Sequence, residues 1–411
     1  MHDDDGDELR LFVEQICCDL CRFLHAAEFA VDHDQIRIEQ EIWMGKLGVH
    51  ADLFVHAPNT PPYFVEVKWR YSIDRIVESL ARKFGPTVPS EYLRGARRVV
   101  LVCDDAIDDE WSELLARVRA VVRPDLEIEV WNEAHLLRLV REQFGVPTRG
   151  LASHERIELR EAIDLAKARY AFGGTDTSLD ALESSLLWHF GFWKLRDLMR
   201  ANGGDRRAIL EPGRYERVVA VMADLTAFSA YVRDTRDDQI IRDCLTAFYA
   251  KSRTQILSNG GMCYQFLGDS VIGLFGVPDG TTPDTFADAM RCAELLVQIG
   301  NSVSNEWQRR IDHIQDGRGV HLGMAVGSMN FMSLRPFSRV HMGAIGESIN
   351  LAARLMHHAA SGEVVISNSL YQQLPRELQR GFTDIPAVEA RNMGRIKAWR
   401  KMLDPADPPA P

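Results

Sequence analysis

The alternation of strand-like and helical segments is interrupted once along this chain, and that interruption constrains the fold most. Residues 1–148 read in the order α-β-β-β-α-β-α-β-α, and a second alternating pattern runs over 214–404. Helical periodicity dominates 149–213 between them. A chain of 411 residues can bury a separate core in each alternating region. We expect two mixed α/β (α+β) domains, a helical connector, and a disordered tail over 405–411.

Composition restricts the class of protein. The hydrophobic share of 46% and the charged share of 26% are ordinary for a soluble globular chain. The net charge of −11 gives no support for broad, nonspecific binding to nucleic acid or anionic membrane. No apolar run approaches the roughly 18 residues needed to span a bilayer, and the acidic first residues are unlike a secretory signal. These features predict a cytoplasmic protein.

Three further patterns concern packing rather than chemistry. Cys18 and Cys21 have the spacing of half a zinc site, but their helical apolar surroundings and the lack of a second ligand pair favour core packing. The aromatic stretch Leu186–Trp193 in the connector is typical of helix packing or a dimer contact. Two glycines at 260 and 261 predict a hairpin turn between the arms Ile256–Ser258 and Met262–Phe266.

Two aspartates lie where strands end in the second domain. The strand Val218–Asp224 leads into a helical pattern, so Leu225–Ser229 presents backbone N–H groups and a helix dipole that favour a triphosphate. Asp269 follows Gly268 at a hairpin bend, where glycine lets the backbone turn tightly. If the hairpin lies beside the first strand, the two carboxylates can share a pair of divalent ions.

A later helix carries an amide and a guanidinium. Asn350 and Arg354 are four residues apart, so they share one helix face. Two carboxylates, an amide and a guanidinium are the groups that a two-metal phosphoryl-transfer site needs. The motifs are Val-Met-Ala-Asp224-Leu-Thr-Ala-Phe228-Ser, Leu267-Gly268-Asp269-Ser and Ile345-Gly346-Glu347-Ser348-Ile349-Asn350-Leu351-Ala352-Ala353-Arg354-Leu355.

These motifs resemble the class III nucleotide cyclase catalytic domain, over about 215–402. The resemblance implies a ferredoxin-like fold in which Asp224, Leu225 and Asp269 bind two Mn²⁺ or Mg²⁺ ions. It further implies that Asn350 orients the ribose and that Arg354 stabilises charge at the α-phosphate. In the family each site lies between two cyclase domains, and this chain has one copy of each group. A head-to-tail homodimer with two equivalent sites is therefore implied.

The resemblance also suggests contacts to the nucleoside triphosphate substrate. Phe228 is implied to contact the substrate, and a basic residue near the last strand to bind the terminal phosphates. Lys397 is the first candidate for that residue and Arg395 the second, because the surrounding segment matches loosely. Ala227 departs from the pattern, since a glycine commonly stands before Phe228. We expect this alanine to tighten the phosphate loop without abolishing it.

The residues that should choose the base match neither the adenylate nor the guanylate cyclase type. Gln265 and Gly343 hold those positions. A glutamine amide offers a donor and an acceptor, so it can match uracil, guanine or adenine. Tyr264, its neighbour, either fills the volume left by a smaller base or belongs to the core, because neighbours on a strand face opposite sides.

The unusual pair, fused to an N-terminal α/β domain, resembles the bacterial antiphage pyrimidine cyclases of the Pycsar system. That resemblance implies cyclisation of UTP to cyclic UMP, a messenger that activates a separate effector protein during phage infection. UTP is favoured because its protonated N3 suits a glutamine acceptor. Cytidylate cyclase activity is the first alternative, and adenylate or guanylate cyclase activity with divergent base contacts is the second.

The N-terminal domain carries a second candidate site. Asp52 on one strand, with Glu66 and Lys68 on the next, would place two metal ligands and a cation on one sheet face. This arrangement resembles the PD-(D/E)xK restriction-endonuclease-like fold over about 1–145. The resemblance leaves two interpretations, an active nuclease or a scaffold used for sensing and regulation. Contact with nucleic acid is expected only through this domain.

Overall fold

The computed structural model describes most of the chain as two compact units, Met1–Lys167 and Ala168–Pro411. Within the described residues, no helix combines the length and apolarity needed to cross a bilayer. The tail predicted over 405–411 lies outside the described residues. The described residues are 4–28, 30–46, 48–58, 60–104, 111–147, 150–151, 153–174, 180–334, 341–390 and 394–404.

The first unit contains a five-stranded mixed sheet in sequential strand order. Its strands are β1 (Arg37–Trp43), β2 (His50–His56), β3 (Tyr63–Val67), β4 (Arg98–Val102) and β5 (Glu127–Trp131). Strands β1, β2 and β3 pair antiparallel, and β3, β4 and β5 pair parallel. Its helices are α1 (Asp4–Glu28), α2 (Ile73–Phe84), α3 (Trp111–Val121), α4 (Glu133–Phe144) and α5 (Ser153–Phe172), which crosses the unit boundary.

Local sequence explains these elements. Every residue of β3 is buried, as expected for a central strand covered on both faces. Helix α2 begins where the Ser72 side chain accepts a hydrogen bond from the Arg75 amide at 3.5 Å, and it buries Ile76, Leu80 and Phe84 along one face. Up to α4, the order of helices and strands is the one predicted from the sequence.

The second unit contains an eight-stranded sheet in the order β12-β13-β11-β9-β6-β8-β7, with β10 pairing on β9. Its strands are β6 (Gly213–Leu225), β7 (Met262–Leu267), β8 (Ser270–Phe275), β9 (Val320–Leu334), β10 (His341–Gly346), β11 (Glu363–Ser367), β12 (Thr383–Ala390) and β13 (Gly394–Met402). Its helices are α6 (Ala181–Ala201), α7 (Phe228–Asp234), α8 (Asp238–Ser258), α9 (Pro283–Ile311), α10 (Glu347–Met356), α11 (Asn368–Tyr371) and α12 (Arg376–Gln379).

One end of this sheet has the βαββαβ arrangement of a ferredoxin-like fold. Strands β9, β6, β8 and β7 are neighbours, with helices between β6 and β7 and between β8 and β9 in the chain. One predicted element was wrong, because Ile256–Ser258 closes helix α8 instead of forming a hairpin arm. The helix continues through these residues because it is capped after them. The Asn259 side chain donates to the Gln255 carbonyl at 2.8 Å and ends the helix there.

The seven cysteines are all buried and unpaired by disulfides. Cys18 and Cys21 lie inside α1 with almost no exposed surface. Burial raises the pKa of both thiols, which disfavours the thiolate that a zinc site requires. The core-packing interpretation of this pair agrees with the structure.

Candidate functional site

The structure brings the two strand-end aspartates together. Strand β6 pairs antiparallel with β8, so that Asp224 lies opposite Ser270. Asp269 occupies the turn that joins β7 to β8, and its carbonyl accepts a hydrogen bond from the Leu225 amide at 3.3 Å. Gly268 has a φ of 61°, the left-handed conformation for which glycine was predicted at this bend. Asp224, Leu225 and Asp269 therefore converge at one end of the central strands.

The two carboxylates carry like charges, and few cationic groups near them offset these charges. Burial, followed by the charge of Asp224, raises the pKa of Asp269 to about 6. The Ser270 hydroxyl donates to Oδ1 of Asp224. Among the described residues, neither carboxylate forms an ion pair with a lysine or an arginine. A cation between them would relieve this repulsion.

The carboxylates of this site are oxygen donors of the kind that divalent cations accept. Across the described part of the chain, no group of three or more His, Cys, Asp or Glu side chains is placed to hold a metal ion alone. Magnesium is commonly bound through one or two carboxylates together with substrate phosphates and water. Asp224 and Asp269 supply the two carboxylates.

His321 is a member of this site that the sequence motifs do not indicate. It lies opposite Asp224 in the β6–β9 pairing, with Nε2 3.6 Å from Oδ2 of Asp224. Its Nδ1 lies 3.3 Å from the Thr226 hydroxyl. Burial lowers the pKa of His321, while Asp224 opposes that shift and His357 adds to it. Only the strand register could have revealed this residue.

The loop after β6 differs in detail from the predicted phosphate loop. Ala227 has a φ of 61° and stands before α7, which explains why glycine suits this position better. Helix α7 has only seven residues. The Leu225 amide donates to the Asp269 carbonyl, and the Thr226 amide donates to Gly319 at 2.9 Å. Two amides of the predicted loop are thus already used within the protein.

The Asn350 and Arg354 pair lies on helix α10, as predicted. Asn350 is exposed and Arg354 is half-buried. The helix packs closely on β9 because Gly323 has no side chain, and a Cβ there would come within 2.0 Å of the Ala352 carbonyl oxygen and 2.4 Å of the Met356 amide. This contact fixes the height of α10 over the sheet. A site composed across two copies of the chain stays a prediction.

The two strands with the predicted base contacts are joined by Tyr264. Its hydroxyl accepts from the Ala344 amide at 2.9 Å and lies 3.4 Å from the Ala344 carbonyl. Gly343, the residue before, is buried. The β7–β8 register shifts between Cys263 and Gln265, so the strict alternation assumed for Tyr264 and Gln265 fails at this bulge.

The remaining predicted substrate contacts lie against aromatic rings. The Phe228 ring meets Trp307 edge-on with centroids 6.0 Å apart. Lys397 holds its ammonium 4.8 Å from the Trp399 ring centroid, and both Lys397 and Arg395 are exposed on β13. Strands β11 and β9 separate β13 from β6 in the sheet. The structure of one chain therefore does not bring Lys397 beside the aspartates.

The N-terminal candidate residues also converge, but around lysines. The Lys68 ammonium lies 2.9 Å from Oδ2 of Asp52 and 2.5 Å from Oε2 of Glu66. Lys83, from α2, lies 3.0 Å from Oδ1 of Asp52 and 2.6 Å from the same oxygen of Glu66. Burial opposes ionisation of Asp52, but the two ammonium groups hold its pKa well below the usual range. Lys83 lies outside the sequence motif, and helix α2 brings it to the two carboxylates.

Comparison with known proteins assigns a family to part of the chain. Residues 210–401, slightly less than half of it, match the adenylate and guanylate cyclase catalytic domain. Comparison with curated proteins gave no match. This match supports a nucleotide cyclase domain over 210–401.

Three solved structures illustrate the similarity. The guanylyl cyclase Cya2 is 18% identical, with 48% of this chain and 98% of that chain covered and a TM-score of 0.41. The adenylyl cyclase CyaB from P. aeruginosa is 18% identical, with coverages of 46% and 95% and a TM-score of 0.39. The guanylate cyclase domain of RhGC from Catenaria anguillulae is 16% identical, with coverages of 46% and 96% and a TM-score of 0.36.

Proposed function

We propose that this protein is a uridylate cyclase, which converts UTP to 3′,5′-cyclic UMP and diphosphate. The ribose 3′-oxygen forms a bond to the α-phosphorus, and the bond from that phosphorus to the diphosphate breaks. The observation that carries the cyclase proposal is the pair Asp224 and Asp269, brought together in a domain of the cyclase family.

Each polar group has a proposed task at this site. Asp224 and Asp269, with the backbone of Leu225, would hold two divalent ions, which when bound favour ionisation of the ribose 3′-hydroxyl and offset phosphate charge. Asn350 orients the ribose, and Arg354 faces the charge that develops on the α-phosphate. These two residues come from a second copy of the chain in the proposed head-to-tail homodimer.

The preference for UTP rests on Gln265 and Gly343. A glutamine amide can accept from uracil N3–H and donate to O4. The ordinary purine-reading pairs are absent from these two positions. CTP is the alternative pyrimidine, because rotation of the amide would match cytosine. Cyclisation of ATP or GTP is the outcome that would contradict a pyrimidine preference.

A defence role is proposed for the product. The divergent base contacts and the additional N-terminal α/β unit support a chain resembling the Pycsar pyrimidine cyclases. In this proposal cyclic UMP is made in the cytoplasm after phage infection and activates a separate effector protein. Expression of the chain with its neighbouring genes in a phage-sensitive host, with Asp269→Ala as the control, tests this role through plaque counts.

The first unit is proposed to be a regulatory domain with a restriction-endonuclease-like scaffold. Its α-β-β-β-α-β order supports the resemblance. The ammonium groups of Lys68 and Lys83 already engage both carboxylates, which argues against metal-dependent cleavage there. The expected result is an intact supercoiled plasmid after incubation with Mg²⁺. Cleavage that disappears in Asp52→Asn would contradict this assignment.

The cyclase proposal is tested by supplying each of ATP, GTP, CTP and UTP with Mn²⁺ or Mg²⁺ and identifying products by mass spectrometry. Cyclic UMP from UTP, absent with Asp269→Ala, is the expected result. Cyclic AMP or cyclic GMP as the main product would keep the cyclase assignment and overturn the uridylate preference. No cyclic product from any nucleotide would overturn both.

A further inference from the structure

The strand that carries Gln265 lies at an edge of its sheet. Among the described residues, strand β7 pairs with β8 and with no other strand, and its register shifts between Cys263 and Gln265. An edge strand with a bulge has fewer ladder hydrogen bonds to fix it than a central strand. The position of Gln265 therefore depends on whatever holds this bulged segment from outside the ladder.

One such contact comes from β10. The Tyr264 hydroxyl accepts from the Ala344 amide at 2.9 Å, and it lies 3.4 Å from the carbonyl of the same residue. Tyr264 sits beside Gln265, and Ala344 sits beside Gly343. A single side chain thus sets the separation between the two strands that carry the predicted base contacts.

A second contact comes from helix α6, which belongs to the second unit. Nδ1 of His189 donates to the Cys263 carbonyl at 2.6 Å, and His189 is only 6% exposed. This bond satisfies a carbonyl on the strand that has no further neighbour in the sheet. The residue before Tyr264 is therefore held by α6, while Tyr264 itself is held by β10.

A kink in α6 makes the docking of this helix possible. Gly191 has a φ of 72° and interrupts the helix, which frees the preceding carbonyls from their usual partners. Arg253 of α8 donates to the Leu187 carbonyl at 2.9 Å and to the Trp188 carbonyl at 3.0 Å. Its guanidinium also lies 4.8 Å from the Trp188 ring centroid. The aromatic stretch predicted as a packing segment thus anchors α6 beside β7.

We propose that Tyr264 and His189 are positioning residues for base selection. With Cys263 and Ala344 they form a clamp that holds the bulged segment of β7 at a fixed distance from β10. A pyrimidine is smaller than a purine and reaches less far across the site. It can contact Gln265 only if the distance between β7 and β10 stays constant. This inference rests on the proposed cyclase function and adds helix α6 to the elements that determine base specificity.

The test compares nucleotide preference in the full-length chain. Tyr264→Phe removes the hydroxyl but keeps the ring, and kcat and KM are measured for UTP, CTP, GTP and ATP. We expect the ratio of kcat/KM for UTP to that for the next best nucleotide to fall about tenfold, mainly through KM for UTP. His189→Leu should lower the same ratio, and His189→Gln, which retains a donor, should restore part of it.

Tyr215→Phe is the matched control, because it also removes a hydroxyl bonded to a backbone carbonyl, that of Glu211 at 3.1 Å. It should leave the nucleotide ratio unchanged. An active wild type whose ratio is unaltered by Tyr264→Phe, or is altered only by an equal loss for all four nucleotides, overturns the clamp alone. A wild type that cyclises none of them overturns the proposed function and the clamp together.

Discussion

Each unit of this protein brings two carboxylates close together, yet the two pairs are balanced in different ways. Asp52 and Glu66 in the first unit are each contacted by two lysine ammonium groups. Asp224 and Asp269 in the second have a serine hydroxyl and a histidine near them instead. A pair that is neutralised internally can serve as structure, whereas a pair that is not requires cations from solution.

The largest expected effect separates the two pairs by activity. Asp269→Asn should lower cyclisation by at least roughly a thousandfold, because the variant retains the shape but loses a charge that holds the ions. Asp52→Asn should leave kcat near the wild-type value. Initial rates of cyclic nucleotide formation provide the measurement. Equal losses of cyclisation rate in both variants would show that the two pairs do not differ in function.

The next effect concerns the Lys83 ammonium group, which contacts both carboxylates of the first unit. Lys83→Met should lower the free energy of unfolding by about 3 kcal/mol, because it breaks a buried ion cluster and leaves excess negative charge. Added Mg²⁺ should recover part of that loss in the variant. Differential scanning calorimetry measures both changes. Arg82→Met, on an exposed neighbour in α2, is the control, and a matching loss there would show that helix α2 itself was damaged.

The pairs should also respond differently to pH in the metal-free protein. The pKa of Asp269 is about 6, against an ordinary value of 3.8. Its contribution to stability is therefore present at low pH and is lost as pH rises through about 6. The pKa of Asp52 is lowered. Its contribution to stability is therefore present at pH values above the ordinary pKa of an aspartate, and it is lost only in acid.

In EDTA, the unfolding midpoint of the second unit should consequently fall between about pH 4 and pH 6. The decline contributed by Asp269 should disappear in Asp269→Asn. Calorimetric scans across this range test the difference. A decline of the same size in wild type and Asp269→Asn would mean that repulsion within the C-terminal pair is not its cause.

The smallest effect concerns the loop beside the C-terminal pair. Ala227→Gly should raise stability by about 0.5 kcal/mol, because Ala227 has a positive φ that glycine adopts without strain. Ala230→Gly, within α7, should instead lower stability by up to about 1 kcal/mol. Urea denaturation measures both changes. The same sign for the two substitutions would contradict this reading of the loop.

The sequence predicted features that depend on local patterns. Gly268 lies in the predicted tight turn, and helix α10 carries Asn350 and Arg354. Both features depend on residues that are close in sequence, so the sequence alone predicts them. His321 and Lys83 were missed, because strand register and helix packing bring them to the sites from distant parts of the chain.

Local competition accounts for the other differences. Ile256–Ser258 has an apolar, strand-like composition, but it continues the long helix α8. The bulge at Tyr264 breaks the period-two pattern that the sequence alone suggested. Pairing with β8 and contact with Ala344 decide this geometry, and neither can be read from the residues of β7.

The most direct test of the difference between the two pairs is Mn²⁺ binding by the metal-free protein in the presence of a non-cyclisable UTP analogue. Electron paramagnetic resonance gives the number of bound ions per chain. We predict binding in the wild type and in Asp52→Asn, and its loss in Asp269→Asn. Nucleotide-dependent binding that survives Asp269→Asn but is lost in Asp52→Asn would place the cation site in the first unit and contradict the assignment.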